Sequence, residues 1–210
     1  MYKILIADDH AIVREGLKQI LQDSPDMQVA GEADSGKKTL QIARKGNFDL
    51  ILLDIAMPDC NGLEVLKELR HEGRKIPILM LSMYPEEQYA IRSLKAGANG
   101  YLTKESAPDE LIAAIRKVSQ GGKYISSSLA EKMAWYLETE SEKNGHELLS
   151  DREYQVMLMI ASGKTVSEIA EELMLSPKTI STNRSRALQK MDMKNNSEFT
   201  SYAFKEGLIH

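Results

Sequence analysis

The chain is poor in the residues that build disulfides and zinc sites, since it contains one cysteine and four histidines among 210 residues. The single thiol of Cys60 excludes an internal disulfide and is typical of proteins from a reducing cytoplasm. The histidines are scattered, so none belongs to a Cys/His cluster with zinc spacing. We therefore expect a cytoplasmic protein without a structural zinc ion.

Long hydrophobic runs are also missing. No stretch approaches the roughly 18 uninterrupted apolar residues that cross a membrane. The opening run from Met1 to Asp8 is too short for a secretory signal and ends in acids. We expect no membrane partner and no signal peptide.

The chain has no excess of basic residues, because its formal net charge is −4. This balance argues against a protein that coats nucleic acid. The charges are unevenly distributed, however: residues 1–147 carry 19 basic and 23 acidic side chains, and residues 148–210 carry eight of each. A length of 210 residues favours two domains, and the second is free to concentrate positive charge locally.

Four consecutive aliphatic residues, Leu50 to Leu53, lead directly into Asp54 and a loop. Such a run predicts a strand that is buried on both faces, as in the middle of a parallel sheet. Ligands of open α/β sheets bind at the carboxyl ends of strands, so Asp54 stands where such a fold does its chemistry. An ordinary N-cap or loop aspartate would give the same local pattern.

Five strand–helix units fill about the first 120 residues, and they predict an α/β fold with a parallel sheet covered by helices on both faces. The predicted strands are Lys3–Asp8, Gln28–Ala33, Leu50–Asp54, Pro77–Ser82 and Tyr101–Lys104. The last predicted helix begins at Pro108 and stops before Gly121. Polar groups end four of the strands, and these groups are Asp8 with Asp9, Asp54, Ser82 and Lys104.

Residues 1–120 resemble a receiver domain of a two-component response regulator, which is flavodoxin-like with five parallel, doubly wound strands. The residues that match the family's acidic pair, phosphoacceptor, hydroxyl, lysine and switch aromatic are Asp8 and Asp9, Asp54, Ser82, Lys104 and Tyr101. The loop 57–62 and the turn 95–98 match as well. Many receivers follow the lysine with a cis proline, but here Glu105 follows it. A cis bond before a non-proline residue costs about 3–4 kcal/mol, so the sequence leaves this bond open.

The resemblance implies that a sensor histidine kinase phosphorylates Asp54 to an aspartyl phosphate. It also implies a bound Mg²⁺, with Mn²⁺ as an alternative, and the groups implied as ligands are Asp8 through water, Asp9, Asp54 and the carbonyl of Ala56. Lys104 and Ser82 would contact the phosphoryl group, and Ser82 with Tyr101 would form the switch. The alternative is that Lys104 merely pairs with an acid and closes the sheet. The resemblance implies no enzyme beyond self-phosphorylation and autodephosphorylation.

Residues 121–147 differ in character from the sequence on either side. Ser126 to Leu137 begins with plausible caps and has helical apolar spacing, so it predicts a short helix. The polar stretch from Glu138 to Glu147 predicts a flexible linker. We therefore expect a first domain at 1–120, a linker with a short helix at 121–147, and a second domain at 148–210.

From residue 148 onward the pattern is helical throughout and predicts an all-α domain of four helices. Two of these helices, joined by a tight turn at Met174–Ser176, form a predicted helix-turn-helix. The second helix contains no acid between residues 177 and 191. Its candidate DNA contacts are Lys178, Thr179, Ser181, Thr182, Asn183, Arg184, Arg186 and Lys190. A basic helix face that is merely solvated is the alternative.

Residues 149–208 resemble the LuxR-type DNA-binding domain. The matching positions are Glu153, Gly163, Ile169, Ala170, Leu173, Ser176 to Thr179 and Arg184. Asn183 departs from the aromatic residue or histidine expected at its position. With the receiver half, the chain resembles a NarL/FixJ-type response regulator, a transcription regulator of double-stranded DNA. In that family the last helix, here Ser197–Lys205, forms a homodimer contact on DNA.

Two other classes of protein compete with this interpretation. An aspartate-nucleophile phosphatase usually has a second acid two residues after the nucleophile, but Ala56 occupies that position. A DNA-binding protein that has lost phosphorylation would be expected to lack an acid or the lysine, and all of these are present. Both alternatives are therefore disfavoured by particular residues.

Overall fold

The computed structural model describes residues 1–57, 59–126, 129–131 and 145–209. The chain forms two compact units, residues 1–132 and 133–210. Most of the predicted short helix from Ser126 to Leu137 lies outside the described residues, as does the predicted linker up to residue 144.

The first unit is built on a five-stranded parallel sheet with the strand order β2-β1-β3-β4-β5. The strands are β1 Tyr2–Ala7, β2 Met27–Ala33, β3 Leu50–Asp54, β4 Ile78–Ser82 and β5 Gly100–Thr103. Every residue of β3 is buried, because this strand lies in the middle of the sheet. The prediction of a buried central strand from the aliphatic run is confirmed.

Five helices alternate with these strands. They are α1 Ala11–Gln22, α2 Gly36–Lys45, α3 Gly62–His71, α4 Glu86–Lys95 and α5 Pro108–Ser119. One core cluster joins apolar side chains of α1 and α5, such as Leu21 and Ile115, to Ile6 and Leu52 of the sheet. The predicted flavodoxin-like fold is confirmed, and the limits of its strands differ from the predicted ones by at most one residue.

Residues after α5 continue to pack on the first unit. The N–H of Tyr124 donates to the carbonyl of Asn99 at 2.8 Å, and Tyr124 forms a parallel bridge with Gly100 beside β5. Ser126 Oγ donates to Glu86 Oε2 at 2.6 Å. The beginning of the predicted linker therefore lies against the edge of the sheet, because β5 leaves its outer hydrogen-bonding groups open to an extended segment.

The second unit is helical in the part of the chain that the structure describes. Its helices are α6 Asp151–Ala161, α7 Val166–Glu172, α8 Pro177–Lys190 and α9 Asn196–Lys205. Side chains of Ser150, Thr165, Ser176 and Asn195 cap their N-termini. The four predicted helices are confirmed. A 3₁₀ turn at Gly145–Leu148 was not predicted. No helix within the described residues is long and apolar enough to cross a membrane.

Candidate functional site

Two carboxylates and a lysine meet where β1, β3 and β5 end. Asp8 and Asp54 are each 1% exposed. Lys104 Nζ lies 2.6 Å from Asp8 Oδ2 and 2.8 Å from Asp54 Oδ2. The parallel sheet explains this meeting, because the carboxyl ends of its strands share one edge. The residues predicted at separate strand ends are therefore brought together.

The electrostatics of this cluster are dominated by burial. Burial raises the pKa of Asp54, and the nearby Asp8 carboxylate adds to the rise against the attraction of Lys104. Burial alone would lower the pKa of Lys104, but its contacts with Asp54 and Asp8 raise it instead. The lysine is thus a fixed cation facing two buried carboxylates, which leaves an excess of negative charge.

The donor atoms at this edge fit a divalent cation. Asp8, Asp9, His10 and Asp54 each offer one ligand atom, and these atoms all lie within 4.8 Å of one another. Asp8 Oδ2 and Asp9 Oδ1 are buried and accept no well-aligned hydrogen bond from any residue that the structure describes. Lys104 Nζ forms an ion pair with Asp8 Oδ2, and His10 Nδ1 lies beside Asp9 Oδ1. Carboxylate oxygens with spare lone pairs suit a hard cation.

The backbone around Asp54 is tightly constrained. The N–H of Ala56 donates to Asp54 Oδ1 at 3.3 Å, which places the Ala56 peptide beside the carboxylate. A Cβ at Gly62 would lie 2.0 Å from the Asp54 carbonyl oxygen, so only glycine fits there. The Lys104–Glu105 peptide, left open by the sequence, is trans. Pro58 lies outside the described residues.

Ser82 and Tyr101 are both fully buried, and both bind the backbone of Tyr84. Ser82 Oγ accepts a hydrogen bond from the Tyr84 N–H at 3.1 Å, and the Tyr101 hydroxyl donates to the Tyr84 carbonyl at 2.7 Å. The loop after β4 therefore joins the predicted hydroxyl and the predicted aromatic. Tyr84 was not singled out from the sequence, because its backbone and not its side chain makes the connection.

Two further contacts near these elements were not predicted from the sequence. Asp59 caps the start of α2, accepting from the N–H groups of Gly36 at 2.8 Å and Lys37 at 3.0 Å. His10 lies beside the acidic pair, with Nδ1 2.9 Å from Asp9 Oδ1. The position of His10 immediately after two acids was a signal that could have identified it.

The second candidate site is α8, whose outer face is basic. Ile180 and Ala187 are fully buried and attach the helix to its unit. Asn183 and Arg184 are half-buried. The predicted contacts that are exposed to solvent are Lys178, Thr179, Ser181, Thr182, Arg186 and Lys190. Most of the predicted DNA-contacting side chains thus share one accessible face.

Several of these side chains have internal partners. Lys190 Nζ lies 2.6 Å from Oε2 of the buried Glu153, and Arg184 Nε donates to Asn196 Oδ1 at 2.6 Å. Burial opposes ionisation of Glu153, but hydrogen bonds from Lys190 and Ser150 lower its pKa. Within the described residues, Lys178 and Arg186 form no ion pair. Among the basic side chains of α8, Lys178 and Arg186 are therefore the most available to an anion, whereas Lys190 has a structural partner.

Both halves of the chain match known family models. Residues 4–116 match the response regulator receiver domain. Residues 147–203 match the bacterial regulatory proteins of the luxR family. The chain belongs to the two-component response regulators that join a receiver domain to a luxR-family DNA-binding domain, and the resemblance inferred from its motifs is confirmed.

Known proteins match along almost the whole length. Response regulator UvrY of Escherichia coli strain K12 is 38% identical over 211 residues, covering 100% of this chain and 97% of that protein. One similar solved structure is RcsB of Salmonella enterica serovar Typhimurium, bound to a promoter in the presence of the phosphomimetic BeF3−. It is 25% identical with a TM-score of 0.60, and the match covers 96% of this chain and 97% of that one. A structure of two RcsB dimers on two parallel DNAs is 26% identical with a TM-score of 0.59, over 97% of this chain and 98% of that one.

Proposed function

We propose that this response regulator controls transcription through phosphorylation of Asp54 by a sensor histidine kinase. The observation that carries the proposal is the contact of Lys104 with both Asp8 and Asp54 at one edge of the sheet. A buried carboxylate held beside a fixed ammonium and further acids has the groups that phosphoryl transfer requires.

The chemical step is a displacement at phosphorus. A carboxylate oxygen of Asp54 attacks the phosphorus of a phosphohistidine, the P–N bond breaks, and the imidazole leaves with the bonding electron pair. The product is an acyl phosphate on Asp54. The Lys104 ammonium then neutralises a phosphoryl oxygen, and the Ser82 hydroxyl donates to another.

We assign the cation of this step to Mg²⁺, with Mn²⁺ as a substitute. The proposed holders are Asp9, Asp54 and the Ala56 carbonyl, with Asp8 acting through water. The cation would screen the repulsion between the incoming phosphoryl group and the carboxylates. The buried oxygens of Asp8 and Asp9 that lack aligned donors support this assignment.

The switch proposed here runs through the loop after β4. Ser82 holds the Tyr84 N–H, and Tyr101 holds the Tyr84 carbonyl. If the Ser82 side chain rotates to bring its hydroxyl to a phosphoryl group, its oxygen moves away from the Tyr84 N–H. The Tyr84 peptide then keeps the Tyr101 hydroxyl on its carbonyl but loses Ser82. A local bond exchange of this kind shifts the population of two loop arrangements.

The output is proposed to be binding of double-stranded DNA by α8 as a homodimer. Lys178 and Arg186 supply exposed cations, and the small polar residues Ser181 and Thr182 let the helix approach a groove. On α9, Phe204 is 69% exposed, which supports that helix as the contact between two copies. Because its target is chromosomal DNA, we place the protein in the cytoplasm.

The protein is proposed to turn over no substrate of its own. It accepts a phosphoryl group on Asp54 and loses it by hydrolysis. The phosphatase alternative lacks support, since Ala56 carries no acid that could protonate a leaving group.

The test is phosphorylation of the full chain by acetyl phosphate with Mg²⁺, followed by intact-mass spectrometry. The parent should gain the mass of one phosphoryl group, and addition of EDTA should prevent the gain. Asp54→Asn should gain nothing, because an amide is no nucleophile. Asp34→Asn, which alters an exposed aspartate that pairs with Lys38 outside the cluster, is the matched control and should behave like the parent. Phosphorylation of Asp54→Asn at the parental yield would refute the proposal.

A further inference from the structure

His10 occupies an unusual position beside the acid cluster. It is the N-cap residue of α1 in extended backbone conformation, and its side chain is 63% exposed. Its N–H donates to Asp8 Oδ1 at 2.9 Å. Its ring Nδ1 lies 2.9 Å from Asp9 Oδ1 and 3.4 Å from Asp8 Oδ1. The imidazole therefore lies beside Asp9 Oδ1, one of the two buried carboxylate oxygens that support the cation site.

These distances match those between ligands of one small ion. Ligands about 2.1 Å from an octahedral ion lie about 3.0 Å apart when they are adjacent. The separation of His10 Nδ1 from Asp9 Oδ1 is 2.9 Å, and the atoms of the whole group span at most 4.8 Å. The ring nitrogen thus stands where an adjacent ligand would stand.

We propose that His10 is a ligand of the receiver's cation and makes the site prefer a first-row transition metal, such as Mn²⁺, over Mg²⁺. The inference rests on the proposed function, because it concerns the same site. Mg²⁺ is bound almost entirely through oxygen, whereas imidazole nitrogen favours transition metals increasingly along the series from Mn²⁺. One nitrogen among carboxylate oxygens is therefore enough to bias the choice.

A different role for His10 predicts a different signal. A ring N–H that donates to Asp9 would give the same 2.9 Å separation and would only orient the carboxylate. In that case no nitrogen of the side chain touches the metal. The two roles are separated by whether a nitrogen nucleus couples to the electron spin of bound Mn²⁺.

The first experiment is pulsed electron paramagnetic resonance on the full chain loaded with Mn²⁺ alone. The parent should show modulation from a directly bound ¹⁴N nucleus, and His10→Ala should lose it. His71→Ala removes a histidine at the end of α3 and should keep the modulation. Absence of nitrogen coupling in the parent, or its persistence in His10→Ala, would overturn the inference.

The second experiment compares Mn²⁺ and Mg²⁺ affinities by calorimetric titration. His10→Ala should weaken Mn²⁺ binding by roughly tenfold or more, because a direct ligand is lost and even loss of a group that only orients a ligand costs about 10–100-fold. Its Mg²⁺ affinity should change much less, and His71→Ala should change neither. Equal losses for both ions would contradict the proposed preference.

These measurements also separate this inference from the function on which it rests. One possible result is that Mn²⁺ binds the parent, that Asp9→Asn abolishes this binding, and that no nitrogen couples to the metal. The cation site is then supported, and the proposed role of His10 is refuted. If neither Mn²⁺ nor Mg²⁺ binds the parent, the proposed cation site itself fails, and the inference about His10 fails with it.

Discussion

At the scale of single residues, the buried carboxylate of Asp54 lowers the stability of the folded protein. Its pKa is raised by burial and by Asp8, so at neutral pH the native state holds a charge that the unfolded chain accommodates more easily. For an acid with a raised pKa, this cost is present above the folded pKa and is relieved as the pH falls through it. The residue proposed to accept the phosphoryl group is therefore a destabilising one.

Asp54→Asn should accordingly stabilise the metal-free protein by roughly 1 kcal/mol, since it removes a buried charge while Lys104 keeps Asp8 as its partner. The melting temperature in EDTA should rise by about 2–4 °C. Circular dichroism on the full chain measures this change. Asp34→Asn should leave the melting temperature unchanged, and a lower melting temperature for Asp54→Asn would contradict the account.

Glu153 affects the pH dependence of stability in the opposite direction to Asp54. Hydrogen bonds from Lys190 and Ser150 hold its pKa below the ordinary value despite burial. A carboxyl with a lowered pKa contributes stability above its unfolded pKa of about 4.3, and loses it as the pH falls through the folded value. Glu153 therefore stabilises the second unit at neutral pH.

Glu153→Gln should lower the free energy of unfolding of the second unit by roughly 1–2 kcal/mol at pH 7, because the ion pair with Lys190 and part of the cap are lost. The difference from the parent should shrink below about pH 4. Urea unfolding at several pH values checks this expectation. Glu172→Gln removes an exposed partner of Lys164 and serves as the control; a deficit that stays constant with pH would argue against the linkage.

Among the elements, the turn of the helix-turn-helix carries backbone strain. Met174, between α7 and α8, has φ of 50° and is 77% exposed. A side chain with a Cβ rarely adopts this left-handed conformation, and the exposed Met174 side chain gains little from packing. The turn therefore keeps its geometry because the helices on both sides hold it.

Met174→Gly should raise the stability of the second unit by about 0.5–1 kcal/mol. Asp192, which follows α8, has φ of 54°. Aspartate tolerates this region better, so Asp192→Gly should gain less. Thermal unfolding of the two variants measures the contrast. An equal or smaller gain for Met174→Gly would show that the turn is not strained at this residue.

If the basic face of α8 binds DNA, the DNA affinity should depend on salt concentration. Loss of a phosphate contact lowers the slope of log affinity against log salt by about 1, whereas loss of a base contact costs about 1–3 kcal/mol at one sequence position. Lys178→Ala and Arg186→Ala should each weaken binding to a duplex selected from a random pool. Fluorescence anisotropy at several salt concentrations distinguishes the two contact types. Lys205→Ala, on α9, should change binding much less; parental affinity in both α8 variants would favour a merely solvated face.

The strands and helices show which parts of the fold and site could be predicted from the sequence. The aliphatic run ending in Asp54 and the polar ends of β1, β4 and β5 predict a shared site, because parallel strands place their carboxyl ends on one edge. The link through the Tyr84 backbone, the approach of His10 to Asp9 and the pairing of Lys190 with Glu153 were not predicted. These depend on side-chain rotamers and helix packing, which periodicity does not encode.

Across the whole molecule, phosphorylation of Asp54 is proposed to govern DNA affinity. Two distinct sites are involved, one at the sheet edge of the first unit and one on α8 of the second. Linkage requires that phosphorylation and DNA binding strengthen each other by the same factor. Measuring the coupling between phosphorylation and DNA binding therefore tests this proposal.

The most direct measurement is DNA affinity of the full chain, by anisotropy on a selected duplex, with and without acetyl phosphate and Mg²⁺. The parent should bind about tenfold more tightly once phosphorylated, a coupling of about 1.4 kcal/mol. Asp54→Asn should bind with one affinity under both conditions, and Asp34→Asn should follow the parent. Unchanged affinity in a parent whose mass shows the phosphoryl group, or an equal response in Asp54→Asn, would contradict the account.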